Sequence, residues 1–132
     1  MGTEDIRYTQ ITEEVWQVGG ESLTDPEDAA LYLIRFDQQA ALIDAGTGKA
    51  HERLTANIEK CGVNPSQIEY LFLTHCHYDH TGGAQRVREA FDSKIVAHEL
   101  DAIYLEKGDS NVTGARCYGE VLKPFSVDHK TT

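Results

Sequence analysis

Positive charge is scarce in this chain. Its 12 lysines and arginines stand against 22 aspartates and glutamates, for a formal net charge of −10. Such a surface disfavours phosphate backbones and anionic lipid, so nucleic acid is not an expected partner. Long apolar runs are missing too: no stretch of about 18 apolar residues occurs, so no membrane-spanning helix is expected. The start, Met1-Gly2-Thr3-Glu4-Asp5, is polar and acidic and lacks the apolar stretch of a secretory leader. Cysteine is sparse and unpatterned. Cys61, Cys76 and Cys117 are odd in number, widely spaced and without a Cys-x-x-Cys pair. That fits reduced thiols in the cytoplasm better than a disulfide framework. Repeats, low-complexity stretches and linkers are absent as well, so residues 1–132 read as one domain long enough to bury a core.

What the chain does have is a concentration of histidine. Residues 74–83 read Thr-His-Cys-His-Tyr-Asp-His-Thr-Gly-Gly. Of the 6 histidines in the chain, three fall here beside a carboxylate: His75, His77, Asp79 and His80. Imidazole and carboxylate are the donors that a borderline-soft divalent ion such as zinc prefers. The cluster follows the apolar run Tyr70–Leu73 and precedes a helical pattern, which places it on the rim of a sheet. Residues two apart on an extended chain point the same way, so His75 and His77 can reach one ion together. Asp79 and His80 follow after the chain has turned and are better placed for a second ion. Two ions about 3.5–4 Å apart can activate a shared water and hold both oxygens of a displacement. Cys76 and Tyr78 alternate out of the ligand row and face the protein. No separate base is evident to make Cys76 a nucleophile.

The remaining chain alternates strand and helix signals, which implies an α/β arrangement. Strands are expected near Ile6–Ile11 and Val15–Val18, with Trp16 in the core. Residues Glu21–Glu27 read as a loop. Leu31–Phe36 and Ala40–Ile43 form a hairpin pattern whose near-continuous apolar character suggests strands covered on both faces. Ala50, Leu54, Ile58 and Cys61 recur at helical spacing from Lys49 to Cys61, with Gly62 and Pro65 as stop signals. On this reading Cys61 is a buried helix residue, and His51 falls off the stripe into solvent. Strand Tyr70–Leu73 delivers the histidine loop. A second helix shows Ala84, Val87 and Phe91 on one face. Lys94–Ala97 is a further strand, and His98 caps a third helix marked by Leu100, Ile103 and Tyr104 that ends near Gly108. Strand-like pieces follow near Tyr118–Leu122 and Phe125–Val127.

These motifs resemble the metallo-β-lactamase superfamily. His75-Cys76-His77-Tyr78-Asp79-His80 matches its His-x-His-x-Asp-His signature. Leu42-Ile43-Asp44-Ala45-Gly46, Thr81-Gly82-Gly83-Ala84 and Ile95-Val96-Ala97-His98-Glu99 resemble the flanking segments, so the likeness runs from Val15 to Val127. The resemblance implies an αββα sandwich of which about the first half is present. It implies His75 and His77 on a first metal, Asp79 and His80 on a second, and Asp44 as a supporting residue beside the site. Zinc, one ion or two, is the default, with iron or manganese open. The family completes its first metal site with a histidine in a Gly-His-Thr-Pro-Gly-like segment. His129, in Val-Asp-His-Lys-Thr, lacks those flanks.

The leading functional reading is therefore a metal-dependent hydrolase in which an activated water attacks a small-molecule ester, thioester, lactam or phosphodiester. Asp79 then serves as the catalytic residue, accepting a hydrogen bond from that water. Two alternatives stand: a catalytically incomplete metal-binding or assembly fragment, and an iron-dependent oxidising relative. A half-sandwich leaves one sheet face without cover, so a homo-oligomer or a pairing with a second half-fragment is expected.

Overall fold

The computed structural model describes residues 8–132. Among the described residues, seven strands form one sheet in chain order: β1 (Thr9–Gln10), β2 (Val15–Gly19), β3 (Leu31–Phe36), β4 (Gln39–Ile43), β5 (Ile68–Phe72), β6 (Lys94–His98) and β7 (His129–Thr131). Strands β1 to β4 pair antiparallel, and β4 to β7 pair parallel. The change of direction follows from connection length. Asp37 and Gln38 suffice to turn β3 into β4, with Asp37 in the left-handed region at φ 57°. Each parallel step needs a crossover, and these carry α1 (His51–Lys60), α3 (Ala84–Phe91) and α4 (Glu99–Lys107). Among the described residues, no helix is long and apolar enough to cross a membrane.

Side-chain alternation divides the sheet into two unlike faces. Trp16, Val18, Leu33, Leu42, Leu71 and Ile95 point to one side and are buried there. Leu54 and Ile58 of α1, Val87 and Phe91 of α3, and Ala102 and Leu105 of α4 complete the same core. Burying one such side chain fully is worth about 1.5–3 kcal/mol. The opposite face carries Tyr32, Ile34, Ile43 and Tyr70, all half-buried, with Phe36 and Phe72 exposed. Full cover on both faces, expected from the apolar runs, is not found, because helices pack on only one side.

Other expectations need correction. The strand expected from Ile6 is only the pair Thr9–Gln10; Ile6 and Arg7 lie outside the described residues. His51 is half-buried rather than solvated, since its ring stacks on Phe91 at 5.5 Å between centroids. Cys61 caps the end of α1 and is half-buried. In α4 the buried positions are Ala102 and Leu105, while Leu100 and Ile103 are exposed. That helix is apolar on several sides, so spacing could not select its inner face. Neither tail strand forms. Residues Ala115–Tyr118 make a 3₁₀ turn, and the chain then runs irregularly, with Leu122, Phe125 and Val127 buried. The Phe125 and Val127 amides bond to Leu105 O and Glu106 Oε2 instead of to a strand, and ladder pairing returns only in β7.

Candidate metal centre

The histidine segment leaves the carboxyl end of β5, beside the carboxyl end of β4. Asp44 follows β4 in the left-handed region at φ 67° and is buried. Its amide donates to Phe72 O at 2.8 Å, and Leu73 N donates to Val96 O at 2.9 Å, so the loop starts from a backbone fixed on both sides. Thr74 then folds over Asp44, donating its amide to Oδ1 at 2.8 Å and its hydroxyl to Oδ2 at 2.7 Å. His77 precedes the single-turn helix α2 (Tyr78–Thr81), and its carbonyl accepts from His80 N and Thr81 N. Tyr78 N donates to Thr113 O at 2.7 Å, which ties this turn to the tail.

The same carboxylate orients His80. Its Nδ1 lies 2.8 Å from Asp44 Oδ2. An ionised carboxylate only accepts, so Nδ1 carries the hydrogen and Nε2 keeps its lone pair. The hydrogen bond to Asp44 raises the His80 pKa above its ordinary value against the opposing effect of burial. Thr74 Oγ1 sits 3.2 Å from His75 Nδ1. Its proton is committed to Asp44, so the hydroxyl oxygen can accept from His75 and leave that ring's Nε2 free as well. The His75 ring lies nearer to His80 than to its expected partner His77, with centroid separations of 3.9 Å and 5.3 Å. Asp79 Oδ1 lies 3.8 Å from His80 Nε2. Cys76 and Tyr78 are buried, as their alternation implied. Burial raises the Cys76 thiol pKa, with Asp101 adding to it, so Cys76 is a poor nucleophile.

Lone pairs freed by a buried carboxylate and a hydroxyl fit a divalent ion in chemistry and in tautomer. Among the described residues, however, no three His, Cys, Asp or Glu side chains are gathered to hold one ion. His98 does not join the motif residues; its Nδ1 accepts from Leu100 N and caps α4. Beside His77 and Asp79 a cleft of about 380 Å³ opens, walled by Asn111, Val112, Thr113, Gly114, Cys117 and Tyr118. The Tyr118 ring packs on Tyr78 at 5.6 Å. Sequence reasoning missed this wall and also missed Thr74. The wall is remote in sequence and irregular, whereas Thr74 directly precedes the motif and carried a positional signal.

The model of the metallo-beta-lactamase superfamily matches residues 24–130. A probable metallo-hydrolase of Methanocaldococcus jannaschii is 31% identical over 93 residues, covering 70% of this chain and 43% of that protein. A flavo-diiron protein of Clostridium acetobutylicum is 36% identical over 76 residues, covering 57% of this chain and 18% of the relative. Among solved structures, the metallo-beta-lactamase GOB-18 of Elizabethkingia meningoseptica superposes with a TM-score of 0.79 and 31% identity, over 96% of this chain and 44% of that one. The chain spans less than half the length of the first two of these relatives and of that structure.

Proposed function

Because the chain belongs to the metallo-β-lactamase superfamily, we propose that it carries the amino-terminal part of a hydrolase centre that works with a divalent metal, zinc by default. The observation that carries this reading is the Asp44 carboxylate, buried and shared between Thr74 and His80, which presents His80 Nε2 to the motif. His75 and His77 would hold one ion, Asp79 and His80 a second. Such ions supply Lewis acidity and lower the pKa of a coordinated water. The protein's own groups do the rest. Asp44 and Thr74 fix the imidazole tautomers, and Asp79 accepts a hydrogen bond from the attacking water. The cleft beside His77 and Asp79 receives a small ester, thioester or lactam. Phosphodiesters fit the acidic balance less well. The free thiols Cys61, Cys76 and Cys117 support a cytoplasmic setting.

Elemental mass spectrometry on protein purified without added zinc tests this reading, with turnover of an ester, a thioester, a lactam and a phosphodiester measured with and without chelator. Bound metal and chelator-sensitive turnover are expected, and His75→Ala or His77→Ala should remove metal from the first position. Unchanged metal content in both variants would sink the assignment. A second reading, a metal-binding or assembly fragment without turnover, is favoured by the lack of a three-donor shell among the described residues. Metal without turnover of any of the four substrates selects it. Iron also stays within this reading, since imidazole and carboxylate suit it and one relative is a flavo-diiron protein. The open sheet face is the proposed contact with a second half of the fold or a second copy.

A further inference from the structure

Two strips of backbone grip the helix that carries Asp79 and His80. On one strip, Ala29 N donates to Asp79 O at 3.0 Å. On the other, Ala45 N donates to His80 O at 2.8 Å, and Gly46 O accepts from Gly83 N at 2.9 Å. The strips are far apart in sequence and belong to different loops. A single carboxylate joins them. Asp28 Oδ1 accepts from Thr47 N and Thr47 Oγ1, both at 2.8 Å. Its Oδ2 accepts from Thr24 Oγ1 at 2.7 Å and Asp25 N at 3.1 Å.

The clamp is built tightly. Thr24 and Thr47 are buried, so both hydroxyls that meet Asp28 are shielded from water. Gly46 runs at φ 69°, and a Cβ there would lie 2.8 Å from the Asp28 carboxylate, so only glycine lets the two strips close. The loop from residue 20 to 28 is also fixed from beneath: the fully buried Asn57 donates to Val18 O at 2.8 Å and to Leu23 O at 3.1 Å. Asp28 therefore sits between rigid supports on both sides. Four donors fill its oxygens, which leaves it no role as a ligand itself.

We infer that Asp28 is a positioning residue for the second metal position: by stapling the Ala29 strip to the Thr47 strip, it sets the backbone of Asp79 and His80. His75 and His77 are held by neither strip. Loss of the staple should therefore act on one half of the centre and spare the other. The inference rests on the reading of Asp79 and His80 as ligands, and its test separates the two ideas.

Amide hydrogen exchange on the metal-free full chain reads the backbone directly. Asp28→Ala should strip protection from the Ala29, Ala45 and Thr47 amides while those of Leu42 and Leu71 keep theirs. Asp28→Asn, which retains one acceptor oxygen, should fall between the two and covers the case in which the alanine variant does not fold. Titration with zinc against a chromophoric chelator reads the ligands. The second zinc should weaken about 10–100-fold in Asp28→Ala, as is usual for a residue supporting metal ligands, with the first unchanged. Unaltered exchange at Ala29 and Ala45 would overturn the inference, and so would equal weakening of both ions. If the unsubstituted chain takes up no zinc, the ligand reading fails, and the exchange result alone decides the role of Asp28.

Discussion

His80 is held by a carboxylate it does not share with solvent. Asp44 is buried and already serves Thr74 twice, so removing its charge disturbs the loop and the imidazole together. Asp44→Asn is the clean test, since asparagine tolerates the left-handed backbone at this position. Zinc affinity should fall about 10–100-fold by chelator competition. The pH dependence has a definite sign. The folded pKa of His80 is raised, so its pairing with Asp44 stabilises the metal-free protein fully below the ordinary value of 6.5. That contribution is lost as pH rises through the raised value. Melting of metal-free protein across this range should show the loss, and Asp44→Asn should flatten it. The thiols give an independent check. Burial pushes the Cys61 pKa up to about 12 and raises that of Cys76, while Cys117 is exposed. Iodoacetamide should label Cys117 first by peptide mapping, and label on Cys76 ahead of it would contradict the buried placement.

Among the elements, β7 pairs with β6 in a three-residue ladder, and two carboxylates add to its attachment. The Asp128 carboxylate accepts from Ile95 N at 2.8 Å and Arg88 Nη1 at 3.1 Å, and Glu106 accepts from Val127 N and Lys130 Nζ. Partial burial would push Asp128 up, yet the Ile95 amide and Arg88 prevail and hold its pKa low. The Val127 amide first, then Lys130, lower that of Glu106. Both depressed values mean a contribution present above the ordinary carboxylate range and lost as pH falls through the folded values. Acidification below the ordinary carboxylate range should release residues 120–132 to limited proteolysis before β4 and β5 lose exchange protection. This tail was also where sequence reading was weakest. Leu122, Phe125 and Val127 suggested strands, but their backbone partners are the end of α4 and a glutamate, which no local pattern encodes. By contrast β3 and β4 were legible as apolar runs split by a short polar turn, and α1 and α3 because each buries one periodic face. The histidine motif was legible for a similar reason: its spacing is its chemistry. Asp28 and Thr113 act through bonds between distant loops and left no trace in spacing.

Across the whole molecule, the two sheet faces differ in kind. Cross-strand register lines up Tyr32, Ile43, Phe72 and Val96 in one row, with Val15, Ile34, Ala41 and Tyr70 in the next. Rows of this composition on an uncovered sheet favour association. The isolated chain should sediment as a dimer or larger species, and Phe72→Glu, at an already exposed position, should shift it toward monomer without lowering its melting temperature. A strictly monomeric parent chain in dilute runs would refute this.

The pairing of Asp44 with Thr74 and His80 has a consequence for the order of synthesis. Every residue of that assembly lies before position 81: Asp44 just past β4, Thr74 just past β5 and His80 in α2. Chains emerge amino terminus first and fold in units as they do so. All three side chains are therefore synthesised before α3, β6, α4 and β7.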